Sequence, residues 1–262
     1  MLRKCDGTIT PLFVIILGMA LCGMQVIQVA TAATVTAPKV ADNSIKIDAS
    51  LDDWHLDLLT DDNKITLNPS TASNINGTIT NEGDGSAAIY VAYDTENLYI
   101  GIMVMDDITY AEQKGDAIWQ NDNAELWIDG ANNAGTFPGE VDNYQLVVDS
   151  NGALHGYRND DVGALVALVE NAAARDGTNY TLEVRIPFSG IANLDMSKGM
   201  GFNITIVDAD AAHSAGGWNR LFWQGTVDTN TSDWGDLIFG DPLTAVEATG
   251  KLATTWAQIK GR

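Results

Sequence analysis

The stretch Ile89-Tyr90-Val91-Ala92-Tyr93-Asp94-Thr95-Glu96-Asn97-Leu98-Tyr99-Ile100-Gly101-Ile102-Met103-Val104-Met105 decides the fold. Two β-rich runs flank Thr95-Glu96, a connection of hairpin length. In the second run Leu98, Ile100, Ile102 and Val104 fall on one face, the period of two that marks a strand with one buried side. Working outward, the pattern recurs. Residues 143–149 and 153–158 read as strands around the turn Ser150-Asn151-Gly152, and 165–173 pairs with 180–187 through Arg175-Asp176-Gly177. Residues 123–129, 201–208, 220–224 and 236–239 add further strands. Turn signals come at short intervals and no long segment has helical period, so the expected fold is all-β, an antiparallel β-sandwich of jelly-roll-like form.

The N-terminus reads differently. Arg3 and Lys4 precede the apolar run from Leu12 to Leu21, and Ala30-Thr31-Ala32 supplies a small-residue cleavage pattern. Residues 1–33 are therefore expected to be a signal peptide, which places the protein outside the cytoplasm: secreted, extracellular or periplasmic, or held at the cell surface. The alternative is an uncleaved anchor, because apolar residues continue to Val29, interrupted by Gln25 and Gln28. Both cysteines, Cys5 and Cys22, lie in this leader. The rest of the chain has no thiol for a disulfide or a metal and must hold together through its core. Residues 34–241 are long enough for one large β domain. In the tail, 242–262, Leu252, Trp256 and Ile259 stand at helical spacing, suited either to docking on the sandwich or to attachment and sorting.

The formal net charge of −21 argues against nucleic acid and against anionic membranes as partners, beyond export itself. Most of this acidity serves solubility. Some of it, such as Asp106-Asp107 and Asp208 with Asp210 at strand ends, has the oxygen-rich character that suits calcium.

Function is signalled around residues 123–129. Leu126 and Ile128 point one way, while Asn123, Glu125, Trp127 and Asp129 point the other. Trp119 stands six residues ahead of Glu125. An indole can stack on the C–H face of a sugar ring while a nearby carboxylate accepts hydrogen bonds from its hydroxyls. If 123–129 and 143–149 pair, Glu125 and Gln145 share one sheet face, and the amide of Gln145 can both donate to and accept from hydroxyls. Trp218, after Gly216-Gly217, is a loop aromatic suited to the same cleft, and Arg220 and Trp223 follow in the next strand. Long polar connections, 106–122 and 130–142, flank the 123–129 strand, where binding loops are commonly found. Trp127 and Trp234 read as packing residues.

Residues 94–106, 119–129 and 144–152, with Trp223 and the closing Trp234-Gly235-Asp236-Leu237, resemble the family 9 carbohydrate-binding modules, within the broader group of DOMON-like β-sandwiches. The resemblance covers residues 42–241 and rests on the order and spacing of several weak motifs. It implies non-catalytic binding of a mono-, oligo- or polysaccharide between two tryptophans, which map onto Trp119 and Trp223, with Glu125 among the polar contacts. It also implies structural calcium, and a partner in polysaccharide degradation: a separate glycoside hydrolase or a cell-surface assembly. The chain departs from the family at Gln145, where binding members often carry a basic residue.

Three other functions compete. A glycosidase needs two opposed carboxylates, which an acidic chain offers without specificity, and His55, His155 and His213 lack triad or metal spacing. A b-type haem domain would draw axial ligands from residues such as Met103, Met105 and His155. A surface interaction module with a degenerate sugar site is the third.

Overall fold

The hairpin about Thr95-Glu96 forms as read, with Tyr93 opposite Leu98 and Asp84-side residue Gly85 opposite Asp106. The structure, a computed structural model, describes residues 32–75, 79–137, 139–157, 162–225 and 230–243. Residues 1–31 of the expected leader (1–33) and residues 244–262 of the expected tail (242–262), with its helical spacing of Leu252, Trp256 and Ile259, lie outside the described residues. In chain order the strands are β1 (Thr34–Lys39), β2 (Lys64–Leu67), β3 (Ser73–Ile75), β4 (Gly85–Tyr93), β5 (Asn97–Asp106), β6 (Asn123–Asp129) and β7 (Asn143–Asp149). They continue with β8 (Leu154–Tyr157), β9 (Glu170–Asp176), β10 (Asn179–Pro187), β11 (Met200–Asp208), β12 (Asn219–Phe222) and β13 (Gly235–Pro242).

One layer runs β8-β7-β6-β11, with β12 and β3 added beside β11; the other runs β9-β10-β5-β4, with β2 added to β4. The apolar faces of both layers meet in one cluster, to which Ile100, Ile102, Leu126, Ile128, Phe202 and Ile204 contribute. The expected antiparallel sandwich forms, with one mixed segment. β1 lies parallel to both β13 and β4, so hydrogen bonding continues from one layer to the other through a mixed segment. Parallel neighbours require a long crossover, and here the whole domain between the first and last strands is that crossover.

The predicted strand 165–173 also differs. Val162–Val166 is a short α-helix, and the strand begins only at Glu170. The helix fits where glycines leave room: a Cβ on Gly156 would lie 2.4 Å from Val162 and one on Gly190 2.7 Å from Leu165. Outside the second layer, Ile45, Trp54, Ala92 and Tyr99 form a smaller cluster, held by Glu183, which accepts from the Trp54 indole at 2.7 Å. Met103 and Met105 remain exposed on that outer face. Among the described residues no helix is long and apolar enough to cross a membrane.

Candidate functional site

β6 pairs with β7 so that Glu125 faces Val147 and Trp127 faces Gln145, which sets Glu125 and Gln145 diagonally on the outer face of the first layer. On the other side β11 places Thr205 beside Glu125, and β12 places Arg220 beside Val207. Arg220 reaches across β11 to Glu125, Nη2 to Oε2 at 2.6 Å, with Glu125 only 2% exposed and Arg220 14%. The guanidinium carbon lies 4.5 Å from the Phe222 ring centre and 5.2 Å from that of Trp218, so aromatic faces flank the cation.

Trp119 comes from the 3-10 turn Gly115–Gln120. The buried amide of Asn123 fastens that turn, donating to the Asn121 carbonyl at 2.7 Å and to that of Trp119 at 3.1 Å. The Trp218 indole donates to the same Trp119 carbonyl at 3.1 Å, and the two rings meet at 90° with centres 5.7 Å apart. His213 stands edge-on to both indoles, 5.0 Å from each. Tyr157 on β8, opposite Gln145, donates from its hydroxyl to the Asp116 carbonyl at 2.9 Å and ties the far wall to the same turn. Gln145 is buried, and its Oε1 has no hydrogen-bond partner among the described residues.

The structure thus brings together Trp119, Trp218, Arg220, Glu125 and Gln145. Trp223 does not join them. Arg220 and Phe222 take the outer face of β12, so Leu221 and Trp223 turn inward, and Trp223 packs on the core with its ring centre 6.2 Å from Phe202. Trp223 thus lies on the opposite face of β12 from Arg220, and Trp218 is the indole that stands beside Trp119. Trp127 and Trp234 pack with Phe137, all nearly fully buried. His213, Tyr157 and Phe222 were not singled out in the sequence, where only strand alternation could have placed Phe222 beside Arg220. Met103 and Met105 lie on the outer face of the opposite layer from His155, which rules out these residues as a pair of axial haem ligands.

A second polar constellation adjoins this one. Asp106, Asp122 and Asp208 are 5%, 0% and 3% exposed, and their oxygens can lie within 4.8 Å of one another. Burial pushes all three carboxyls upward, and the charge of Asp106 adds to the rise at Asp122 and at Asp208, which reaches about 8. The donor set is all oxygen, and among the described residues neither Asp208 Oδ1 nor the buried Tyr180 hydroxyl has a hydrogen-bond partner, so the residues fit a calcium-like ion. The sequence pointed to Asp106 and Asp208 but missed Asp122, which has no spacing relation to either.

Solved structures of similar fold include a family 9 carbohydrate-binding module from Caldicellulosiruptor kristjanssonii. Its complex with cellotriose is 17% identical and superposes with a TM-score of 0.59, covering 84% of this chain and 98% of that one. Its complex with glucose, again 17% identical, gives a TM-score of 0.62, covering 82% and 99%. No curated protein matches in sequence. The model of the family described as carbohydrate family 9 binding domain-like matches residues 63–241, from the end of the Asp61–Asn63 turn into β13 and across every site residue named above, and the chain belongs to that family.

Proposed function

We propose that this protein binds neutral carbohydrate without cleaving it, at the cleft formed by Trp119, Trp218, Arg220, Glu125 and Gln145. The observation that carries this reading is the placement of two half-buried indoles beside a buried ion pair, on the sheet face that also carries Gln145. The indoles offer apolar faces to a sugar ring, and the ion pair and amide offer donors and acceptors to its hydroxyls. Because Trp119 and Trp218 touch edge to face, the ring stacks on an outer indole face rather than between the two. Glu125 is committed to Arg220 and serves to orient hydroxyls, not to deliver a proton. That similar modules are seen with cellotriose and glucose supports gluco-configured sugars as the first ligands to try. The leader-like composition of residues 1–33 supports a secreted or periplasmic site of action, and the family supports a setting in polysaccharide degradation beside a separate glycoside hydrolase or a surface assembly.

Isothermal titration with glucose, cellobiose and cellotriose tests the reading. Saturable heat is expected, and Trp119→Ala should weaken binding tenfold or more, since a stacked aromatic contributes about 0.5–1.5 kcal/mol on top of its buried apolar area. Glu125→Gln should weaken it as well. Silence toward a broad glycan panel from folded protein would replace this reading with a protein-interaction sandwich.

A further inference from the structure

We propose that the tail of this chain seats Trp256, with Leu252 and Ile259 beside it, on Met103 and Met105, so that the protein covers its own exposed methionines. The seat lies on the outer face of the second layer, away from the cleft. Along β5, strand alternation puts Tyr99, Gly101, Met103 and Met105 on that face. Ile45, Leu51 and Trp54 cover only its first half: Trp54 packs with Tyr99, and a Cβ on Gly101 would lie 2.9 Å from Leu51. Past Gly101 this cover stops, and Met103 and Met105 are 45% and 53% exposed. β5 is hydrogen-bonded to both β4 and β10, so the uncovered stretch lies within the layer and not at its edge. Thr66 of β2 with Ser86 and Ala88 of β4 completes a groove of about 240 Å³ beside the two methionines, with Glu82 among its walls. Contiguous exposed apolar surface marks a docking site, and unbranched thioethers adapt to an incoming aromatic ring.

Reach, pattern and charge name the tail as the occupant. The Leu243 amide donates to the Lys39 carbonyl at 2.7 Å, and Lys39 pairs with Tyr93, so the tail departs beside the last residue of β4. From Tyr93 back to Ala88 is about 17 Å along the strand. The chain from Leu243 to Leu252 spans up to about 30 Å when extended, enough to reach the groove. Leu252, Trp256 and Ile259 recur at the spacing of one helical face, the pattern with which an amphipathic segment fills an apolar groove. Past Leu243 the tail carries Lys251, Lys260 and Arg262 against a single acid, Glu247, in a chain of net charge −21. The groove meets these cations with Glu82, and with Asp84 just before β4 and Asp107 just after β5, whose carboxylates lie within 4.8 Å of each other. Apolar groups thus meet methionines while basic groups meet an acidic rim. The family match ends at residue 241, so this cover is an addition to the module and does not depend on the sugar reading.

Dilute hydrogen peroxide reads the cover directly, because it converts accessible methionines to sulfoxides whose positions peptide mass spectrometry reports. The full chain is compared with a double variant, Leu252→Asp with Trp256→Asp, whose changes fall outside the strands; thermal melts check that both are folded. Met103 and Met105 should oxidise at least tenfold faster in the variant, while the half-buried Met196, before β11, keeps its rate. Hydrogen exchange over residues 252–259 should be slowed in the full chain and released by Met105→Glu, a change at an exposed position. Equal oxidation of Met103 and Met105 in the full chain and the double variant overturns the proposal. Slowed exchange that survives Met105→Glu overturns it too, by placing the tail elsewhere. Protection that vanishes on dilution, with a dimer on gel filtration, overturns it in favour of a second copy of this chain on the same face.

Discussion

At the scale of single residues, the Arg220–Glu125 pair concentrates the most consequence in the fewest atoms. Removing one partner leaves the other charge buried, so Arg220→Met should destabilise the fold by about 3 kcal/mol in urea melts, and Glu125→Gln combined with it should recover part of that loss. Asp94 is a second such residue, far from the cleft. It is buried, yet it accepts from the Tyr99 hydroxyl at 2.7 Å and from the amides of Glu96 and Asn97 at 2.8 and 2.7 Å. Burial alone would raise its carboxyl, but these donors outweigh burial and hold it below the usual range. The folded value therefore lies below the unfolded one, and the stabilisation exists above about pH 4 and fades as pH falls through the folded value. Asp94→Asn should cost about 2 kcal/mol at pH 7, and chemical denaturation at pH 2–3 should show the gap between variant and wild type closing.

Elements show why some of this was legible in sequence and some was not. β5, β6 and β7 were read correctly because a strand with one buried face writes its period into a few consecutive residues. Residues 165–169 differ from the strand expected over 165–173 because their continuous apolar run carries no period, and only the glycines at 156 and 190, distant in sequence, make room for a helix there. The same limit applies to the cleft. Glu125, Trp119 and Gln145 could be found by spacing and alternation, but the inward turn of Trp223 depends on the phase of β12, which is set when Arg220 opposes Val207. Asp122 was missed because the carboxylates it joins come from the ends of separate strands. One substitution tests the inward placement of Trp223. A Cβ on Gly235 would lie 2.5 Å from the Trp223 ring and 2.7 Å from the Ala33 carbonyl. Gly235→Ala should lower stability by about 1–3 kcal/mol in thermal melts while cellotriose affinity is unchanged, because the disturbed indole is not in the cleft.

At the scale of the whole molecule, a net charge of −21 surrounds a cleft whose only named cation is already paired with Glu125. Polyuronates should therefore fail to bind at low ionic strength, where repulsion reaches furthest, while neutral glucans bind with little dependence on salt. Affinity electrophoresis in gels containing pectate or a soluble glucan at two salt concentrations separates the two; retardation by pectate would show that the cleft, not the overall field, governs selection.

The parallel seam of β1 has a consequence in time. Thr34 finds its partner at Asp236 and Lys39 at Pro242, so the strand that joins the layers stays half-paired until nearly the whole domain has been synthesised. Contacts so remote in sequence slow folding towards milliseconds or seconds. A nascent chain of this design stays open until its last strand arrives, and then closes as a unit.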